Sequence, residues 1–194
     1  MTTARDAILW AMAIHGDTAT DRDTAAHPGW WDAGERRAWL AYSRVQLRLS
    51  YEINRQLQAV SGLSAADYDV LTALNGSAGG RLAVSVLANQ IGWERSRVSH
   101  HIKRMAARGL VSSAQGTTDR RVTEISCTAA GLRVLADAAP GHVALVRRLF
   151  FGGLPPEMVA PLTSALEDVY AHVLAHGSLP APPAAGPRAD LGGG

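Results

Sequence analysis

The 194-residue chain has a single cysteine, Cys127, which excludes an internal disulfide framework and any cysteine-based zinc cluster. Lysine is almost as scarce: Lys103 stands alone against 18 arginines. No apolar run reaches the roughly 18 residues a membrane span needs. The longest, Ala7–Ile14, has eight. It follows one Arg and one Asp without a convincing cleavage pattern after it, so a secretory signal is not expected and a soluble, cytoplasmic protein is. Also missing are a Gly-rich phosphate loop, a His-Glu-x-x-His zinc pair and a Gly-x-Ser-x-Gly elbow. The acids Asp67 and Asp69 lie two apart on a predicted helix and diverge. Nothing therefore points to an enzyme, a cofactor or a bound metal. What is present, 47% hydrophobic against 19% charged residues, excludes a wholly disordered chain. The length fits one domain with tails.

The formal net charge of +2 hides an uneven distribution. Between Arg81 and Ile125 eight basic residues face three acids, giving +5, and the other residues carry 11 against 14, giving −3. A basic block in a mildly acidic chain is the electrostatic footprint of a duplex binder. An ordinary solvated basic face gives the same count.

Hydrophobic spacing lays out mostly helices. Tyr42, Val45, Leu49, Ile53 and Leu57 fall on one face of a helix over about 32–61, ended by Gly62. Ser64 caps a second helix carrying Tyr68, Leu71 and Leu74. Val84, Leu87, Ala88 and Ile91 form a third, broken at Gly92. A fourth spans about 95–108, with Val98, Ile102 and Met105 inward and Gly109 as its C-cap. Residues 110–115 and 122–127 alternate loosely around a polar loop and read as a β-hairpin with a basic tip. Thr128 caps a long helix that Pro140-Gly141 should kink or interrupt. The last helix starts at Leu154-Pro-Pro-Glu157 and carries Met158, Leu162, Leu166, Val169 and Val173. The expected fold class is mainly α with a small β-hairpin wing.

Two short helices around a glycine turn, then a hairpin with a basic loop, make the pattern of a winged helix-turn-helix. Its second helix lies in a DNA major groove. On that helix Arg95, Ser96, Arg97, Ser99, His100, His101, Lys103 and Arg104 cover the surface left by the inward stripe, with no acid among them. Arginine bridges two acceptors on guanine, and Ser or Arg binds phosphate. In the hairpin loop Asp119 precedes Arg120 and Arg121. A narrow minor groove attracts such arginines, and the acid beside them can orient one of them.

The segments Leu63-Ser-Ala-Ala-Asp-Tyr-Asp-Val-Leu71, residues 87–101 (LANQIGWERSRVSHH), Arg108-Gly-Leu-Val111, Asp119-Arg-Arg121 and Thr128-Ala-Ala-Gly131, in this order and spacing, resemble the MarR (multiple antibiotic resistance regulator) family. The resemblance runs from about Trp30 to His176. It implies a winged helix-turn-helix domain over 30–176, with a DNA-binding core at about 63–128 and dimerisation helices at about 32–61 and 129–176. Outside it lie a flexible leader, 1–29, and a disordered Pro/Gly-rich tail, 177–194. It implies Arg95, Ser96, Arg97, Ser99, His100, His101 and Arg104 as the major-groove set, and Asp119, Arg120 and Arg121 as the wing set. A homodimer is implied too, its interface formed by Tyr42, Leu49, Ile53, Leu57, Met158, Leu162, Leu166, Val169 and Val173. Such symmetry matches a pseudo-palindromic double-stranded operator. Family members commonly repress transcription and leave DNA when a small, often phenolic, effector binds. Trp39, Tyr42, Tyr68, Asp69 and His142 are the candidate pocket. Residues of these types are also ordinary core. Other readings are a ligand-independent activator or architectural protein, and a redox- or metal-sensing regulator using Cys127 or the His172/His176 pair.

Overall fold

A computed structural model describes residues 32–116 and 121–182. The leader, most of the tail, Asp119 and Arg120 lie outside the described residues. Among the described residues six α-helices and three strands follow one another, with short 3-10 turns between some of them: α1 (Ala33–Ser61), α2 (Ala65–Asn75), β1 (Arg81–Ala83), α3 (Val84–Ile91), α4 (Arg95–Ala107), β2 (Val111–Gln115), β3 (Thr123–Cys127), α5 (Ala129–Leu149) and α6 (Val159–His176). The chain divides within α1 into two compact units, residues 1–52 and 53–194.

In the first unit, Asp32 and Glu35 begin α1 by reciprocal capping. The Asp32 N–H donates to Glu35 at 2.9 Å and the Glu35 N–H to Asp32 at 2.8 Å. Trp39, Tyr42, Val45, Leu47 and Tyr51 are exposed along it.

The second unit holds the core. Leu57 at the end of α1, Leu63, Val70, Leu71 and Leu74 around α2, Leu87 on α3, Val98, Ile102 and Met105 on α4, and Ile125 on β3 exclude solvent together. A capping box starts α2: the Asp67 N–H donates to Ser64 Oγ at 3.1 Å and the Ser64 N–H to Asp67 Oδ2 at 2.9 Å. Gly92 closes α3 in the left-handed region, at φ +68°. A residue without Cβ takes that turn with the least strain.

The hairpin β2–β3 forms as the sequence predicts, but it belongs to a three-stranded antiparallel sheet in the order β1-β3-β2. Strand β1 pairs Leu82 with Ile125. Beyond it, Thr128 accepts from the Gly131 N–H at 3.0 Å and its hydroxyl donates to the Gly109 carbonyl at 2.6 Å, tying the start of α5 to the end of α4. A Cβ on Gly131 would collide with the Leu110 backbone carbonyl, so that close approach depends on glycine.

Two expectations change here. Pro140-Gly141 does not interrupt α5, which is continuous to Leu149. Leu135, Ala138 and Leu145 are buried on either side of the proline, and their packing holds the helix through it. Leu57 is not an interface residue: it is 0% exposed within one chain, so a partner has nothing left to cover, and Ile53 packs against the same core. Helix α6, by contrast, buries no residue at all.

Candidate nucleic-acid interface

Helix α4 divides as its stripe requires. Val98, Ile102 and Met105 face the core, while Arg95, Ser96, Arg97, His100, Lys103 and Arg104 are exposed and Ser99 is half-buried. The Ser99 hydroxyl donates back to the Arg95 carbonyl at 2.9 Å. Glu94 is the N-cap residue but makes no side-chain cap. Its carboxylate therefore supplies only charge at the helix start.

His101 departs from the sequence expectation. It is 6% exposed and turned into the protein, so it is not part of the exposed face of α4. Its Nδ1 accepts from Arg104 Nη2 at 2.8 Å. Arginine only donates, so the ring's own proton sits on Nε2. Nε2 lies 3.0 Å from Asp67 Oδ1, without the alignment of a hydrogen bond. Burial outweighs the Asp67 charge and pushes the His101 pKa below its usual 6.5, so the ring is neutral at neutral pH.

Asp67 joins α2 to α4. Burial alone would raise its pKa, but the Ser64 N–H and the Arg108 guanidinium reverse that and hold it below 3.8. Arg108 Nη1 donates to Asp67 Oδ2 at 2.7 Å and Nη2 to the Gly62 carbonyl at 2.8 Å. One carboxylate thus caps α2, pairs the end of α4 and faces His101. In the sequence Asp67 stands out only as one of two diverging acids, with Asp69. Arg97, three positions from Glu94, stacks on Trp93, its Cζ 4.0 Å from the ring centroid.

The wing flanks this helix. Gly116 donates to the Val122 carbonyl at 2.8 Å and closes the hairpin behind the loop. Arg81 on β1 pairs with Glu124 on β3 at 3.8 Å. Between α4 and the sheet lies an open cleft of about 570 Å³ whose polar lining includes Arg95, Ser99, Lys103, Arg121, Ser85 and Ser113. Three cations and several hydroxyls without an acid suit an anionic backbone. Lys103, Ser85 and Ser113 gain importance only once the sheet is placed beside α4.

The candidate pocket residues divide. Trp39 and Tyr42 belong to the first unit, where their rings lie 5.6 Å apart. Tyr68 and His142 pair in the second at 4.7 Å. Asp69 is exposed, yet crowding around its carboxyl raises its pKa, with His142 pulling the other way. Burial raises the Tyr68 pKa also. Cys127, its Sγ 3.8 Å from the Leu71 carbonyl, has its thiol pushed up to about 11 by burial. The His172 and His176 rings stack at 4.2 Å. Among the described residues no three His, Cys, Asp or Glu cluster around a metal-sized site. No helix among them is long and apolar enough to cross a membrane.

The MarR family sequence model matches residues 61–122. AbsC, a MarR family transcriptional regulator from Streptomyces coelicolor, is 35% identical, with a TM-score of 0.71 over 75% of this chain and 98% of its own. Sco3205, a MarR family transcriptional regulator from the same organism solved in complex with DNA, is 32% identical, with a TM-score of 0.73 over 78% and 99%. The organohalide-sensing RdhR-CbdbA1625 regulator, in its 2,4-dichlorophenol-bound form, shares the fold at 18% identity and a TM-score of 0.66, over 81% and 92%. No curated protein sequence matches the chain.

Proposed function

The chain belongs to the MarR family of transcriptional regulators, and from that premise we propose that it is a homodimeric repressor that reads a pseudo-palindromic operator with α4 and the wing. The observation that carries this reading is the surface of α4, where Arg95, Arg97, His100, Lys103 and Arg104 are exposed without an acid. Arg95, Ser96, Arg97, Ser99, His100 and Arg104 face the bases or their phosphates, and Arg121, with Asp119 and Arg120 in the same loop, contacts the adjacent groove. His101 drops out of that set because it is buried. That Sco3205 was solved with DNA supports the same use of a similar fold. The exposed stripe of Leu166, Val169 and Val173 supports the dimer. Half-sites about one helical turn apart follow from its two-fold symmetry.

Release by a small phenolic ligand is the second part of the proposal. Tyr68, Asp69 and His142 supply a ring pair beside a carboxylate whose proton is held more tightly than usual, a setting that accepts a planar hydroxylated molecule. A thiol switch is disfavoured, because at about 11 the Cys127 thiol stays protonated at neutral pH. His172 and His176 are two ligands where a structural zinc site takes four. The test is a titration of the wild-type chain and of an Arg95→Ala/Arg97→Ala/Arg104→Ala chain against labelled duplex, with and without 2,4-dichlorophenol. The proposal expects at least a hundredfold loss in the triple variant and release of the wild type by the phenol. Equal binding by both chains refutes the DNA surface, and retention in the presence of the phenol refutes that class of effector.

A further inference from the structure

Trp93 occupies a position that exposed charge alone does not account for. It stands in the turn between α3 and α4, half-buried, packed against the core on one side. Arg97, one helical turn on, lies with its Cζ 4.0 Å from the indole centroid. The His101 ring meets the same indole edge to face, with centroids 5.4 Å apart and planes at 87°. His101 is itself held by Arg104 at Nδ1 and faces Asp67 at Nε2. The indole is thus fixed from inside before it meets Arg97.

An arginine side chain at a surface samples many rotamers, and ordering such a chain on binding costs conformational entropy. Stacking on an indole restricts that freedom in advance. With its Cζ held over the ring, the guanidinium still has N–H groups to offer the two acceptors of a guanine. A phosphate offers acceptor oxygens to many directions of approach, whereas the two acceptors of a guanine edge lie in one plane and admit few, so base reading depends more strongly on the direction of the fork.

We propose that Trp93 is a positioning residue for DNA reading: its indole holds the Arg97 guanidinium in a base-reading orientation, so discrimination between sequences depends on it more than total affinity does. This rests on the DNA-reading role proposed above.

The experiment uses the full chain as wild type, Trp93→Leu, Trp93→Phe, Arg97→Ala and the Trp93→Leu/Arg97→Ala double variant. Without DNA, the Arg97 Nε–H proton resonance reports the stack, because an indole ring current moves it upfield. That shift is expected in wild type and lost in Trp93→Leu. With DNA, the probes are a duplex that the wild type enriches from a random library and a scrambled duplex of equal composition. Trp93→Leu is expected to lower the enriched-to-scrambled affinity ratio about two- to fivefold, the size of an exposed cation–π contact, with scrambled binding unchanged. Trp93→Phe gives a smaller loss and keeps the test open if the Leu variant fails to fold. On the Arg97→Ala background Trp93→Leu adds nothing. Equal losses on both duplexes, fully additive losses in the double variant, or an unshifted Arg97 resonance in wild type each overturn the proposal. A wild type that enriches no duplex overturns the DNA-reading role and the proposal with it. The DNA-free resonance separates that failure from absence of the stack.

Discussion

Helices α4 and α6 both carry an apolar stripe at helical spacing, yet they finish differently. Of the 13 residues of α4, Val98, His101, Ile102 and Met105 are buried. Of the 18 residues of α6, none is, and Leu166, Val169 and Val173 are 46%, 61% and 56% exposed. The first stripe is satisfied by its own chain, which frees the opposite face for a charged surface. The second is not. Burying each such side chain contributes about 1.5–3 kcal/mol, so an open stripe of this length is a surface that a second copy can cover. In our reading the two stripes divide the work: one fixes the direction of the DNA-reading face, the other joins two such faces.

The largest expected effect sets the stripes against each other. Val98→Asp places an unpaired charge in the core and should unfold the domain, at a cost above about 4 kcal/mol by denaturant titration. Leu166→Asp with Val169→Asp should leave the circular dichroism and melting of the domain intact but give a monomer in sedimentation. A dimer that survives the α6 changes breaks the comparison. Next is Gly131→Ala, which forces a methyl against the Leu110 backbone at the foot of α4. A loss of about 2–3 kcal/mol is expected, and a neutral result would mean that this junction yields more easily than the core should.

A smaller effect sharpens the α4 side. The folded His101 pKa lies below 6.5. As pH falls below 6.5 the unfolded chain takes up the proton first, so stability declines from there down to the folded value and is level below it. Asp67 has the depressed-carboxylate sign, its contribution present above its usual 3.8 and lost as pH falls through the folded value. His101→Gln should flatten the upper of these two slopes when urea midpoints at about pH 7.5 and about pH 5.5 are compared. An unchanged slope means that another group titrates there. The smallest effect is expected of Arg121→Ala. It should weaken enriched and scrambled duplexes alike by about 0.5–1 kcal/mol and reduce the salt slope by about one; a sequence-dependent loss would move Arg121 from backbone to base contact.

Much of this was legible in the sequence because it repeats locally. The stripes of α1, α2, α3 and α4, the Thr128 cap, the Gly92 and Gly109 helix ends and the hairpin all follow from neighbours within a few residues. Strand β1 was not legible, since three residues after a glycine cluster acquire meaning only by pairing with Ile125, far along the chain. His101 was misread for a different reason. The i, i+3, i+4, i+7 template starting at Val98 includes position 101, but adjacency to His100 and a polar ring favoured the surface. Its buried partner, Asp67, comes from another helix. Trp93 and Arg97 lie four positions apart, a spacing that could have flagged their contact, whereas Lys103 became part of the cleft only with the sheet in place. Pro140 does not interrupt its helix, and packing on both sides of a proline is invisible to spacing.

Selection from a random duplex library tests the central claim most directly. The account predicts that the full-length wild type enriches a two-fold-symmetric site with half-sites about one helical turn (about 10 bp) apart, and that the α6 double variant loses the symmetry or the enrichment. Enrichment of an asymmetric single site, or of none, by the wild-type chain contradicts it.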